Sequence, residues 1–219
     1  MDKKRRLWQV CAACAICLSL CGACSDDGNE TEEPYPSLIT EFVDIYTDES
    51  GNGYLLMTDN GDVYAINQPL QGLHPTTAYR IVGGYVMTDR TNGRYQVVEL
   101  RTAENITLLN LVEDQPAADD PIQATSVWRG GPYLNFHLTP KTQGGQHAWG
   151  YRINQVRTTD TGHTYELSLH HSQNGDPCSY STTVYASLII DRIGELQQGD
   201  SIAFTIRTFD GDKTWRFAY

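Results

Sequence analysis

Tyr133-Leu134-Asn135-Phe136-His137-Leu138 alternates apolar and polar side chains with a period of two. Successive side chains of a strand point to opposite faces, so Leu134, Phe136 and Leu138 share one apolar face. The pattern returns at Leu167 and Leu169, at Ala186, Leu188 and Ile190, at Ile202, Phe204 and Ile206, and at Trp215, Phe217 and Tyr219. Two more strands are predicted over 122–128 and 148–156. Seven alternating strands in roughly a hundred residues, with turn residues between them, predict an antiparallel β-sandwich over residues 119–219.

Working toward the N-terminus, residues 37–113 carry a second all-β block. Strands over 54–58 and 63–66 flank Asp59-Asn60-Gly61-Asp62, and Asn-Gly accepts the positive φ that a tight hairpin requires. The apolar stretch 78–87 is interrupted by Gly83-Gly84, which predicts a bulge or bend within a strand. With strands over 38–46, 94–101 and 106–112 and a hairpin turn over 89–93, the block suits a small OB-like barrel. Asp114, Pro116, Asp119, Asp120 and Pro121 interrupt any strand pattern, and the domain break is expected within 113–121. The predicted class is all-β, an N-terminal OB-like small barrel followed by a C-terminal antiparallel β-sandwich.

The first 23 residues read as an export signal. Lys3, Lys4, Arg5 and Arg6 precede an apolar run over 7–20, too short to span a bilayer, and Gly22-Ala23-Cys24 offers small residues before a cysteine. The reading adopted is a lipoprotein signal with acylation at Cys24, palmitate among the chains attached, because at least two hydrocarbon chains are required for stable anchoring. An ordinary secretory signal cleaved near Ala23, or an uncleaved anchor, competes with it, since Cys21 stands where lipoboxes usually carry Leu. Residues 24–36 form an acidic, flexible linker, in which Ser25, Asp26 and Asp27 resemble the surface-export signal of Bacteroidetes lipoproteins. The expected location is the outer membrane, lipid-anchored and facing the surface.

Removing residues 1–23 takes away four cations and one anion, so the formal charge of −11 becomes −14. Such a body repels nucleic acid and anionic surfaces. Cys11, Cys14, Cys17, Cys21 and Cys24 fall in the signal or at its end, leaving Cys178 alone in the folded region and no internal disulfide.

Tyr54-Leu-Leu-Met-Thr-Asp-Asn-Gly-Asp62, Ser126-Val-Trp-Arg-Gly-Gly-Pro-Tyr-Leu-Asn-Phe136, Leu167-Ser-Leu-His-His171 with Asn174-Gly-Asp176, and the aromatic ending at 215–219 resemble the NigD-like lipoproteins of Bacteroidetes. The resemblance covers nearly the whole mature chain. It implies an OB-like domain followed by a β-sandwich, and an association with bacteriocin gene clusters. It carries no catalytic residue. The chain departs from the pattern at Gly83-Gly84 and in the long loop over 140–145.

The residues themselves offer little chemistry. His170 and His171 are adjacent on a strand, so they point to opposite faces and one is expected in solvent. A metal site from His137, His171 and a carboxylate such as Asp176 is conceivable, but scattered histidines of this kind are more often structural, and neither a metal nor a cofactor is expected. Cys178 lacks a nucleophile signature, Ser126 and Ser187 lack a Gly-x-Ser-x-Gly setting, and Gly130-Gly131 and Gly144-Gly145 open no helix and read as turns. The expectation is a non-catalytic envelope module that meets an unknown envelope protein. The alternative is a glycan-binding accessory protein, with Trp128, Tyr133, Trp149 and Tyr151 as ligand-stacking candidates.

Overall fold

The computed structural model describes residues 36–113 and 116–219, so Cys24, Ser25, Asp26 and Asp27 lie outside the described residues. Five strands come first: β1 (Ile39–Thr47), β2 (Gly53–Thr58), β3 (Val63–Leu70), β4 (Ala78–Asn92) and β5 (Tyr95–Asn105). They close into a barrel in the order β1-β2-β3-β5-β4, with β4 paired back onto β1. Val43, Ile45, Leu56, Ile66, Ile81, Tyr85 and Val98 fill it.

The Asn60-Gly61 turn forms where the sequence predicts it. Gly61 takes φ +88° and donates its N–H to the Thr58 carbonyl at 3.0 Å. Gly83-Gly84 lies in β4, and the pairing with β5 slips between Gly84 and Tyr85. A Cβ on Gly83 would come 2.8 Å from Val43 Cγ2, and one on Gly84 would collide with Thr102 Oγ1, so strand crowding selects glycine at this corner. The turn predicted over 89–93 is displaced: β4 runs on to Asn92, which pairs with Tyr95 around Gly93 and Arg94.

Ten strands follow: β6 (Thr107–Leu108), β7 (Gln123–Gly130), β8 (Tyr133–Thr139), β9 (Lys141–Thr142), β10 (Ala148–Thr159), β11 (Gly162–Ser172), β12 (Tyr180–Ser181), β13 (Val184–Ile189), β14 (Ser201–Thr208) and β15 (Gly211–Ala218). Two four-stranded sheets, β6-β13-β8-β7 and β10-β11-β14-β15, make the sandwich, and β9 with β12 form a small ribbon. The apolar faces expected from the alternation meet between the sheets. Phe136 of β8 and Phe204 of β14 place their ring centroids 4.8 Å apart, among Leu134, Leu138, Leu167, Leu188, Ile202 and Ile206.

Two features correct the sequence expectation. The strand predicted over 106–112 does not complete the barrel: β6 pairs parallel to β13 of the sandwich, and Leu109 is buried in the sandwich core. The sandwich is also not wholly antiparallel, since β11 and β14 pair in parallel as well. Neither pair is joined by a hairpin, so their direction is set by the crossover and not by a turn. Barrel and sandwich belong to one compact unit, Pro36–Tyr219.

Candidate functional site

Three arrangements bring polar or aromatic groups together, and the first joins barrel to sandwich. Asp44 on β1 and Arg80 on β4 are cross-strand partners. Arg80 Nη1 lies 2.6 Å from Asp59 Oδ1 in the β2–β3 turn and 3.6 Å from Asp44 Oδ1. From the sandwich, Asn135 Oδ1 accepts from Arg80 Nη2 at 3.0 Å and from Ser187 Oγ at 2.8 Å. The Tyr133 ring stacks under the guanidinium, 3.8 Å from Cζ to the centroid, and its hydroxyl donates to Asp44 Oδ2 at 3.0 Å. Asn135 Nδ2 donates to Asp59 Oδ2 at 2.8 Å.

Arg80, Asp44, Asn135 and Ser187 are buried. Burial raises the Asp44 carboxyl above its ordinary value despite Arg80, whose guanidinium sits closer to Asp59. Burial likewise pushes the Tyr133 hydroxyl up. Gly130 and Gly131, read from the sequence as turn residues only, also admit this contact: a Cβ on either would run into Asp59. The cluster can hold charge and fix two modules against each other.

A second cluster sits at one end of the sandwich. Gln173, Asn174, Gly175 and Asp176 make a tight turn after β11, with Asn174 and Gly175 at φ 51° and 77° and the Asp176 N–H donated to the Gln173 carbonyl at 2.9 Å. That turn aims Asp176 at the loop over 140–147. Asp176 Oδ2 accepts from Thr142 Oγ1, from the Gln143 N–H at 3.0 Å, and lies 3.2 Å from His147 Nε2. These donors, Thr142 foremost, hold its carboxyl below the usual range. His147 Nδ1 lies 3.0 Å from His171 Nε2, and His171 Nδ1 lies 2.8 Å from the Asp120 carbonyl oxygen. Burial pushes the His171 ring down. Trp149 stacks on His171 at 4.3 Å and, with Pro140, Thr142, Gly145, His147, Thr182 and Val184, lines a pocket of about 110 Å³.

The third is an open cleft of about 410 Å³ whose walls include Glu41, Phe42, Asn60, Trp128, Arg129 and Tyr185. Phe42 meets both Trp128 and Tyr185 edge to face, at 5.0 and 5.7 Å.

The four aromatic candidates therefore do not converge. Trp128 walls the cleft, Trp149 lines the small pocket, and Tyr133 is committed to Arg80 and Asp44. Tyr151 is 1% exposed in the sandwich core, with its hydroxyl donated to the Arg192 carbonyl at 2.9 Å, and has no face to offer a ligand. The metal combination is not assembled either. His137 packs on Tyr185, whereas His171 meets His147, and among the described residues no group of three or more His, Cys, Asp or Glu is placed to hold an ion.

His170 and His171 are both buried, contrary to the expectation that one faces solvent, because the segment over 117–120 runs along that part of β11. Its Ala118 N–H approaches His170 Nδ1 at 3.4 Å, and Asp119 bridges to His171. Cys178 is exposed and touches Gln173. Sequence reasoning missed Arg80, Asp59 and His147. An arginine inside the apolar stretch 78–87 was the available signal for the first.

Residues 105–219 match the family model described as the NigD-like C-terminal beta sandwich domain. The chain belongs to the NigD-like family. No curated protein matches it. Among solved structures, a NigD-like immunity protein from Bacteroides caccae is 26% identical with a TM-score of 0.64, over 84% of this chain and 93% of that one. A protein of unknown function from Bacteroides vulgatus shares the fold at 17% identity, with a TM-score of 0.69 over 84% and 91% of the two chains. The NigD-like match begins at residue 105, next to the point where β6 enters the sandwich sheet.

Proposed function

We propose that this NigD-like chain is a non-catalytic envelope lipoprotein, exported by its N-terminal signal, held in the outer membrane by acylation at Cys24, and directed to the surface by the acidic residues that follow, where it works by contacting another envelope protein. The observation that carries this reading is how the ionisable groups are used. Arg80 is engaged by Asp44, Asp59 and Asn135, and His147 by Asp176 and His171. Groups so committed support a rigid scaffold, and they leave the open cleft beside Trp128 and Arg129 as a surface for a partner. The solved relative from Bacteroides caccae is a NigD-like immunity protein, which supports an immunity-type contact as the form this takes.

Crosslinking on intact cells followed by mass spectrometry tests it, with the mislocalised Cys24→Ala protein as control. Capture of one envelope protein that disappears in the control is the expected result. A second reading, glycan binding, draws on Trp128 standing in the cleft beside Glu41 and Asn60, an aromatic surface next to groups able to bond sugar hydroxyls. Capture of nothing by protein at the surface, with retention on a glycan array above a heat-denatured control, would replace the first reading with the second.

A further inference from the structure

The hydrogen bonds around His147 and His171 call for more protons than two neutral imidazoles carry. His171 Nδ1 lies 2.8 Å from the carbonyl oxygen of Asp120, which only accepts, so Nδ1 bears a hydrogen. At the other end of the pair, His147 Nε2 lies 3.2 Å from Asp176 Oδ2, a carboxylate oxygen that also only accepts, so Nε2 bears a hydrogen too. Between them, His147 Nδ1 and His171 Nε2 stand 3.0 Å apart, and one of the two must donate to the other. Three contacts on four ring nitrogens take three protons, one beyond two neutral rings.

We propose that His147 and His171 share one extra proton, balanced by the Asp176 carboxylate, and that this proton is a pH-sensitive clasp fastening the loop over 140–147 to the end of β11. Burial disfavours a charged ring at His171, and the Asp176 carboxylate stands beside His147 at 3.2 Å. Asp176 is the other half of the clasp, since the same oxygen holds Thr142 and Gln143 of the loop. When the proton leaves, two hydrogens remain for three contacts, so one contact of His147, with His171 at 3.0 Å or with Asp176 at 3.2 Å, is left with lone pairs facing each other and turns repulsive.

The surrounding charges are few. Asp120, on the segment crossing β11, spends its carboxylate on the Gln173 N–H at 2.8 Å, and its neighbour Asp119 pairs with Arg207. Lys141 points its ammonium at the Phe209 ring. His170 sits on the opposite face of β11, with Arg152 among the charges that act on it. Trp149 on the stacked face is neutral, and Cys178 at the turn contacts Gln173. Release of the clasp would open the wall of the pocket that His147 and Trp149 line.

Hydrogen exchange of the loop over 140–147 tests the clasp as pH rises from about 5 to about 8, the range in which histidine changes charge. After correction for intrinsic exchange, protection should fall roughly tenfold, the equivalent of one charge-assisted hydrogen bond. Nitrogen NMR of the two rings should show one doubly protonated imidazole at the acidic end. In the Asp176→Asn protein the amide oxygen has to stay on Thr142 and Gln143, and the negative charge that balances the extra proton is gone, so protection of the loop should be lost at a lower pH than in the wild type. His147→Gln should make protection independent of pH. Flat protection in the wild-type protein, or two neutral rings throughout, would overturn the proposal, and the wild-type readings decide it even if a variant does not fold.

Discussion

Asp44 and Arg80 face each other directly across β1 and β4, yet the guanidinium leans away, standing 3.6 Å from Asp44 and 2.6 Å from Asp59 of the β2–β3 turn. One buried cation thus serves two carboxylates from the barrel and one amide from the sandwich. Arg80→Met keeps volume and removes the charge, leaving buried Asp44 and half-buried Asp59 without their cation. Loss of one partner from such a pair costs about 3–5 kcal/mol, which chemical denaturation would report. Asp44→Asn should cost less than Asp59→Asn when measured at neutral pH, because burial already disfavours the charged form of Asp44 and an amide oxygen can still accept from Tyr133.

Gly130→Ala tests the close approach of the two modules. Its Cβ would run into Asp59 and stand 2.7 Å from Asn135 Nδ2. Overpacking of this kind costs about 1–3 kcal/mol, and the urea midpoint should fall accordingly. Gly61→Ala has open space around its Cβ, and its cost should come from the left-handed backbone alone.

Asp200 governs part of the acid response. Its carboxylate accepts the Gln197 N–H at 2.8 Å and the His163 N–H at 2.7 Å, which hold its carboxyl below 3.8. A carboxyl depressed on folding stabilises above its unfolded value, and that stability drains away as pH falls through the folded value. Asp200→Asn should therefore be less stable than wild type at neutral pH, and its urea midpoint should fall less steeply below about pH 4.

The last strand is required. β15 pairs Trp215 with Phe204 and Phe217 with Ile202, and both aromatics pack on the sandwich core. Deleting residues 215–219 exposes that core and strips one edge of β14. The shortened chain should lose its sigmoidal thermal transition by circular dichroism, and a soluble, cooperatively melting product would refute this.

Alternation made the sandwich readable, since Leu134, Phe136 and Leu138 could share a face only as a strand. The Asn60-Gly61 hairpin was readable from backbone preference alone. The contacts that make the candidate sites were not. Arg80 meets Asn135 and Ser187 across long sequence separations, and no local pattern announces such a partner. His147 takes its neighbours from β11 and from the turn after it, far along the chain. The same holds for β6, whose two residues have no periodicity to display and whose membership is decided by β13.

Only Ile106 separates the last residue of β5 from the first of β6. The crossing from barrel to sandwich therefore has no slack, and the first residues beyond it are already a sheet edge. A graft or truncation that cuts at 113–121 would leave that edge strand with the wrong fragment. A cut after Asn105 would instead leave β6 with β13, its partner in the sheet.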